Sequence, residues 1–184
     1  MSLDQITGFP LRKGRVHEVC GPSAFGFAAV VAGLAGTRFL WVRESWQGSV
    51  LNPVGGGAFF DPAMLLVAQA KDQLDALAVT EEALRDGSMP VVIVELSQPL
   101  SLKAGRRLQL AAKAGRSTGL CIIPEGMGSN AAETRWHSTP IYDPKDSTLN
   151  CWKLIKNKTG TNGAWNVRWQ AASRRLHMVS PAGE

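Results

Sequence analysis

The 184-residue sequence predicts an α/β protein with a mostly parallel central sheet, flanked by helices and carrying an antiparallel β extension at its C-terminal end. Three observations predict this class. Strand-like and helix-like segments alternate as far as residue 123. Two of the strand-like segments, 91–94 and 119–123, are short unbroken apolar runs, as expected of strands buried on both faces of a parallel sheet. From Glu133 onward the pattern changes to alternating segments separated by turns, as in a β meander.

Residues 1–14 are polar and turn-rich and read as a loose N-terminal arm; residues 15–180 read as a single domain. Residues 15–20 form the first strand. Residues 25–35 are apolar nearly all round, so they predict a buried helix, stopped by Gly36. A second strand follows over 38–42. The segment 46–60, with Gly48, Pro53 and Gly55-Gly56-Gly57, reads as a surface loop. A third strand covers 64–69. Over 72–85 the apolar positions Leu74, Leu77, Ala78 and Leu84 make a helical stripe closed by Gly87. The strand 91–94 ends in Glu95. Ser101 is placed to cap a helix running to Ala114, with Gly115 at its end. After the strand 119–123, the segments 134–141, 149–157, 164–170 and 175–179 read as the antiparallel extension, with turns at 143–144 and 160–163.

At 45% apolar the chain is long enough to bury one substantial core. No apolar run reaches the roughly 18 residues of a membrane helix. The first ten residues carry Asp4 and lack the basic start of a signal peptide, so a cytoplasmic protein with no membrane association is expected. Cys20, Cys121 and Cys151 are far apart and read as reduced thiols rather than a disulfide or zinc framework. His17, His137 and His177 are equally scattered, and no metal site is expected. Charge is divided unevenly. Residues 1–102 carry 7 basic and 10 acidic side chains, and residues 103–184 carry 13 and 5. A basic C-terminal half points to a polyanion or an acidic protein partner.

The stretch 16–30 organises the chain. It reads as strand, glycine-bounded loop and helix start, and it keeps the Gly-x-x-x-x-Gly spacing of a phosphate-binding loop in Gly21-Pro22-Ser23-Ala24-Phe25-Gly26. The next two positions normally hold a lysine for the β/γ-phosphates and a hydroxyl for magnesium. Here they are Phe27 and Ala28. Phe27 supplies no charge and Ala28 no metal ligand. The glycines are therefore read as keeping a tight turn, with Phe25 and Phe27 filling the vacated phosphate cavity.

The order of elements resembles the core of the RecA recombinase family. Residues 64–95 are similar to that family's strand–helix–strand segment and put Glu95 at the acidic end of its second nucleotide motif. Val42-Arg43-Glu44 resembles the segment whose glutamate activates water, and residues 152–158 resemble a segment whose two lysines, here Lys156 and Lys158, reach the nucleotide of a neighbouring subunit. A closer resemblance is to the RecA-related ImuA family of damage-induced mutagenesis. It is carried by Gly14-Arg15-Val16-His17-Glu18-Val19, Arg107-Leu108-Gln109-Leu110-Ala111-Ala112, Ala132-Glu133-Thr134-Arg135-Trp136, and Lys156-Asn157-Lys158-Thr159-Gly160 with Gly163-Ala164-Trp165, and covers 14–180.

The resemblance implies a RecA-like fold and an accessory role in SOS translesion synthesis, performed through protein contacts. The implied partners are an ImuB-like polymerase homologue and RecA, and indirectly an error-prone DnaE-type polymerase. With the loop degenerate, no catalytic residue, cofactor or enzyme activity is expected; Glu44 and Glu95 stand as vestigial acidic positions. A DNA-dependent ATPase or recombinase-like DNA-binding protein, or a cell-division inhibitor like SulA, remains the alternative. The two DNA-binding loops of RecA correspond to the short segments 97–100 and 124–130. DNA contact is thus expected to be weak and to rest on Lys103, Arg106, Arg107 and Lys113, whose other reading is an ordinary solvated face. Trp136, Trp152, Trp165 and Trp169 are read as sheet packing rather than base-stacking platforms. Lys156 and Lys158 have two readings. One is protection of a solvated edge strand; the other is docking on RecA as a non-extending filament cap.

Overall fold

The computed structural model describes residues 6–49 and 51–181. Nine strands form one sheet: β1 (Val16–Cys20), β2 (Phe39–Glu44), β3 (Leu65–Ala70), β4 (Val91–Glu95), β5 (Thr118–Ile122), β6 (Thr134–Pro140), β7 (Asn150–Asn157), β8 (Gly163–Gln170) and β9 (Arg175–Pro181). Their order is β3-β2-β4-β5-β1-β6-β7-β8-β9. The first six in that order run parallel, and β7, β8 and β9 extend the sheet antiparallel. The α/β class, the mostly parallel sheet and the antiparallel extension are as the sequence predicts. One strand differs. The segment 134–141, expected in the antiparallel part, pairs parallel with β1 as β6 and antiparallel with β7. It is the hinge strand between the two halves of the sheet.

Helices cover both faces of the parallel half. On one face, α1 (Ala24–Ala35) buries Phe27, Ala28, Ala29, Val30, Val31 and Ala32 against Trp41, Ile93, Leu120 and the tryptophans of the extension. Gly36 ends it in the left-handed conformation. On the other face lie α3 (Gln73–Asp86) and α4 (Leu102–Gly115), over Val42, Val92, Val94 and Cys121. Alternate residues of β2 and β4 thus feed two separate cores. Asp72 caps α3 by accepting from the Asp75 amide, and Ser101 caps α4 by accepting from the Ala104 amide.

Several local expectations are corrected. The stripe on α3 is Ala76, Thr80 and Leu84, with Glu81 also buried, while Leu74 is exposed. Thr80 is tolerated inside because its hydroxyl donates to the Ala76 carbonyl at 2.7 Å. α4 ends at Gly115 as expected, and it is Arg116, the next residue, that takes the left-handed conformation. Glycine is needed at 115 because a Cβ there would lie 1.9 Å from the Leu84 carbonyl oxygen. The 46–60 loop contains a short helix, α2 (Pro53–Gly56), started by Asn52, and it turns Phe60 inward against Phe39. Residues 6–14 of the expected loose arm are packed down, since they carry apolar side chains that the core accepts: Ile6 and Phe9 are buried, and the Phe9 ring lies 5.1 Å from that of Trp152. Arg12 pairs with Glu133 at 3.1 Å. Residues 1–5 lie outside the described residues. Among the described residues no helix is long and apolar enough to cross a membrane.

Candidate functional site

The loop after β1 is shorter than its glycine spacing predicts. Only Gly21, Pro22 and Ser23 separate Cys20 from the first residue of α1, Ala24, so Gly26 lies inside the first turn of the helix. Gly21 has φ +95°, and a Cβ there would meet the Ser138 carbonyl oxygen at 2.5 Å. Only glycine fits. The amides are used within the chain. Ser23 N–H donates to Ser138 O at 3.0 Å, Ala24 N–H to Gly21 O at 3.1 Å and Phe27 N–H to Ser23 O at 3.0 Å. A phosphate loop works by leaving such donors aimed at an anion.

The two phenylalanines part company. Phe27 is 1% exposed and enters the core, its ring 4.4 Å from Trp152 and 5.5 Å from Trp136. Phe25 does not fill a cavity as expected. It is 49% exposed and stacks on Trp41, 6.2 Å away at an interplanar angle of 14°. Two residues apart within one helical turn, positions 25 and 27 are rotated by about 200° from each other, so both cannot enter the same space. Ala28 is fully buried. Beside the loop is a cavity of about 250 Å³ that Pro22, Ser23 and Gly26 share with Thr148, Asn150 and Trp169.

The acidic positions have new company. Glu95 is buried; its Oε1 accepts from Trp41 Nε1 at 2.7 Å and its Oε2 lies 3.3 Å from Arg43 Nη2. Arg43 is braced by Gln47 Oε1 at 3.1 Å and Ser49 Oγ at 3.0 Å. Burial raises the Glu95 carboxyl above its ordinary value, against the opposing pull of Trp41 and Arg43. Indole and guanidinium thus engage both oxygens of the Glu95 carboxylate. Glu44 follows Arg43 on β2, so strand alternation sends it to the opposite face; it is buried, and among the described residues its Oε2 has no hydrogen-bond partner.

The basic residues lie elsewhere. Lys158 Nζ donates to the Ala131 carbonyl at 2.7 Å, and Lys156 Nζ donates to that of Ala132. Burial, then the neighbouring Lys158 and Arg135 charges, lower the Lys156 pKa. The edge-strand reading of these lysines is corrected: β7 lies between β6 and β8. Ala131 and Ala132 precede Glu133, whose amide bonds the Val16 carbonyl at the start of β1. The loop follows the other end of β1, so the structure does not bring Lys156 and Lys158 to Gly21. Lys103, Arg106 and Arg107 are exposed on α4. Arg107 pairs with Glu81 at 2.7 Å; among the described residues Lys103 and Arg106 form no ion pair. The four tryptophans of the extension are all buried, as packing residues are.

Sequence reasoning missed Trp41 and Arg43 as the partners of Glu95. Their signal was the i, i+2 spacing on one strand, which puts both on the face that Glu95 shares. It also missed Glu18, fully buried, which accepts from Arg135 Nε at 2.7 Å and from the Ser129 amide at 2.8 Å, holding the 124–130 segment down.

The fold and site define an α/β protein whose first strand leads through a glycine turn into an apolar helix. Among known proteins the chain is similar to Protein ImuA of Caulobacter vibrioides strain NA1000 / CB15N, 27% identical over an alignment 201 residues long that takes in 92% of this chain and 80% of that protein. The same figures hold for Protein ImuA of Caulobacter vibrioides strain ATCC 19089 / CIP 103742 / CB 15. No family model matches the chain.

Proposed function

We propose that the protein is a non-catalytic, RecA-related accessory factor of DNA-damage-induced translesion synthesis, acting through protein contacts. The observation that carries this reading is the fate of the two positions that would do phosphate chemistry. Phe27 is packed among Phe9, Trp136 and Trp152, and Ala28 is sealed in the core. The internal use of the Ser23, Ala24 and Phe27 amides and the capture of Glu95 by Trp41 and Arg43 support it. Similarity to Protein ImuA supports the pathway. On this reading the partners are an ImuB-like polymerase homologue and RecA, with an error-prone DnaE-type polymerase reached indirectly.

Two measurements test it. Deleting the gene is expected to lower damage-induced mutation frequency, with recovery on complementation; unchanged frequency overturns the role. Purified protein is expected to release no phosphate from radiolabelled ATP above background, with or without single-stranded DNA. Turnover that disappears in Glu44→Gln overturns the non-catalytic part.

A further inference from the structure

We propose that the groove between α4 and the 130–131 segment is a docking site for an acidic amphipathic segment of a protein partner. The inference rests on the adaptor reading above, and supplies the surface that reading lacks. Leu102, Arg106 and Leu110 succeed one another at four-residue intervals and form one ridge along α4. Facing them are Asn130, Ala131 and Lys158, and together with Gln109 these residues enclose an open groove of about 450 Å³.

Two features identify the occupant. The first is apolar: Leu102 is 46% and Leu110 69% exposed, on a helix whose other face is fully engaged with the sheet and α3. The second is charge. Two cations and no carboxylate line the groove. Among the described residues neither Arg106 nor Lys158 has an ion-pair partner, and Lys158 Nζ donates to Ala131 O. Lys103 lies on the adjoining turn, also unpaired among the described residues. An occupant that matches both features presents apolar side chains to the leucines and carboxylates to Arg106 and Lys158. A nucleic acid matches the charge alone: its backbone offers nothing apolar to Leu102 and Leu110, and no aromatic residue in the groove offers a base a stacking surface. The groove is also rigidly backed. Gln109 bonds the Val16 amide, the Val16 carbonyl and the Ala131 carbonyl, and Lys158 holds the same Ala131 carbonyl from the other side.

The test is selection of random peptides displayed on phage against the immobilised protein, followed by affinity measurement on the synthetic winners. Selected peptides are expected to combine Asp or Glu with Leu, Ile or Phe. They are expected to lose about tenfold in affinity to Leu110→Ser and to Arg106→Glu, and to weaken with added salt. Both positions are exposed, so circular dichroism should find the variants folded. Three results overturn the proposal: peptides that bind both variants as well as the parent; a labelled oligothymidine that binds the parent and is weakened by Arg106→Glu but not by Leu110→Ser; or concentration-dependent dimerisation abolished by Leu110→Ser. The same variants separate this proposal from the reading beneath it. If deletion lowers damage-induced mutation but both variants restore it fully, the groove falls and the adaptor role stands. If deletion changes nothing while acidic peptides still bind here, the adaptor role falls and the docking site stands.

Discussion

His17 Nδ1 lies 2.7 Å from Thr134 Oγ1, in the interior of the sheet where β1 and β6 run side by side. Arg12 O is 3.0 Å from His17 Nε2, and a carbonyl only accepts, so Nε2 carries the proton and Nδ1 accepts from the threonine hydroxyl. Trp136 Nε1 donates to the same hydroxyl oxygen at 3.0 Å. The arrangement satisfies every polar atom of a neutral imidazole. A second ring proton would face the hydroxyl that now donates to it.

This makes His17 a source of acid sensitivity. Burial lowers its pKa from 6.5 to about 4. Between these values the unfolded chain binds a proton that the folded chain refuses, so stability rises with pH across this window. The contribution is complete above pH 6.5 and falls by about 3 kcal/mol as the pH drops through 4. Urea unfolding at neutral pH and near pH 4.5 should find a steeper loss in the parent than in His17→Asn. Equal slopes would reject the assignment. At neutral pH, Thr134→Val should cost about 1–3 kcal/mol by stranding both Nδ1 and the Trp136 indole, and Thr134→Ser much less.

Phe27 is expected to be a stability residue. Phe27→Ala should cost about 3–5 kcal/mol and lower the melting temperature by roughly 10 °C. Restoring the phosphate-loop pair as Phe27→Lys with Ala28→Thr should not create ATP binding, because the ammonium would enter an aromatic cluster rather than a phosphate site. Thermal melting and equilibrium dialysis against labelled ATP check both; a stable double variant that binds ATP would contradict this account.

Arg43 and Glu95 should behave as a unit. Arg43→Met leaves a buried carboxylate without its charge partner and is expected to cost about 3–5 kcal/mol. Adding Glu95→Gln keeps an acceptor for Trp41 and removes the charge, so the double variant should be more stable than Arg43→Met alone. Chemical denaturation of the parent, both singles and the double measures the coupling, and strict additivity would show that the pair is not coupled.

Among the described residues the outer edge of β3 has no strand beside it, and β3 reads Leu-Leu-Val-Ala-Gln-Ala with no charge or proline. Leu66 and Val67 are 45% and 48% exposed. Uncharged edges pair with other chains. Val67→Lys is therefore expected to reduce concentration-dependent association in sedimentation velocity, with a stability change within about 0.5 kcal/mol. Faster sedimentation of the lysine variant would be the contrary result.

What the sequence disclosed about this fold was local. Ser101, Gly36 and Gly87 could be read as a cap and two stops because their partners lie within a few residues, whereas the cap at Asp72 was not read. What it hid depends on distant chain. The inward face of α3 is set by the strands β2, β3 and β4 together with α4, and Leu74 lies exposed while Thr80 is buried. Gly115 resembles a helix stop, yet its role is to let the Leu84 carbonyl approach. At the site, the missing lysine and hydroxyl were legible in Phe27 and Ala28, but the closure of the loop was not. The group that closes it, the Ser138 carbonyl, lies far along the chain on β6. Arg43 and Glu95 are likewise separated by 52 positions, and only the pairing of β2 with β4 joins them.

The position of β1 carries a cost during synthesis. It is the first strand made, yet its two neighbours, β5 and β6, come from residues 118–122 and 134–140. At ordinary ribosomal speed those neighbours follow on the order of ten seconds later. Throughout that interval β1 has neither of its pairing neighbours. The nascent chain therefore needs either a chaperone's shelter or provisional burial of α1 against β2 and β4, which emerge earlier. Coexpression with holdases should raise the soluble yield far more than any substitution on the finished surface.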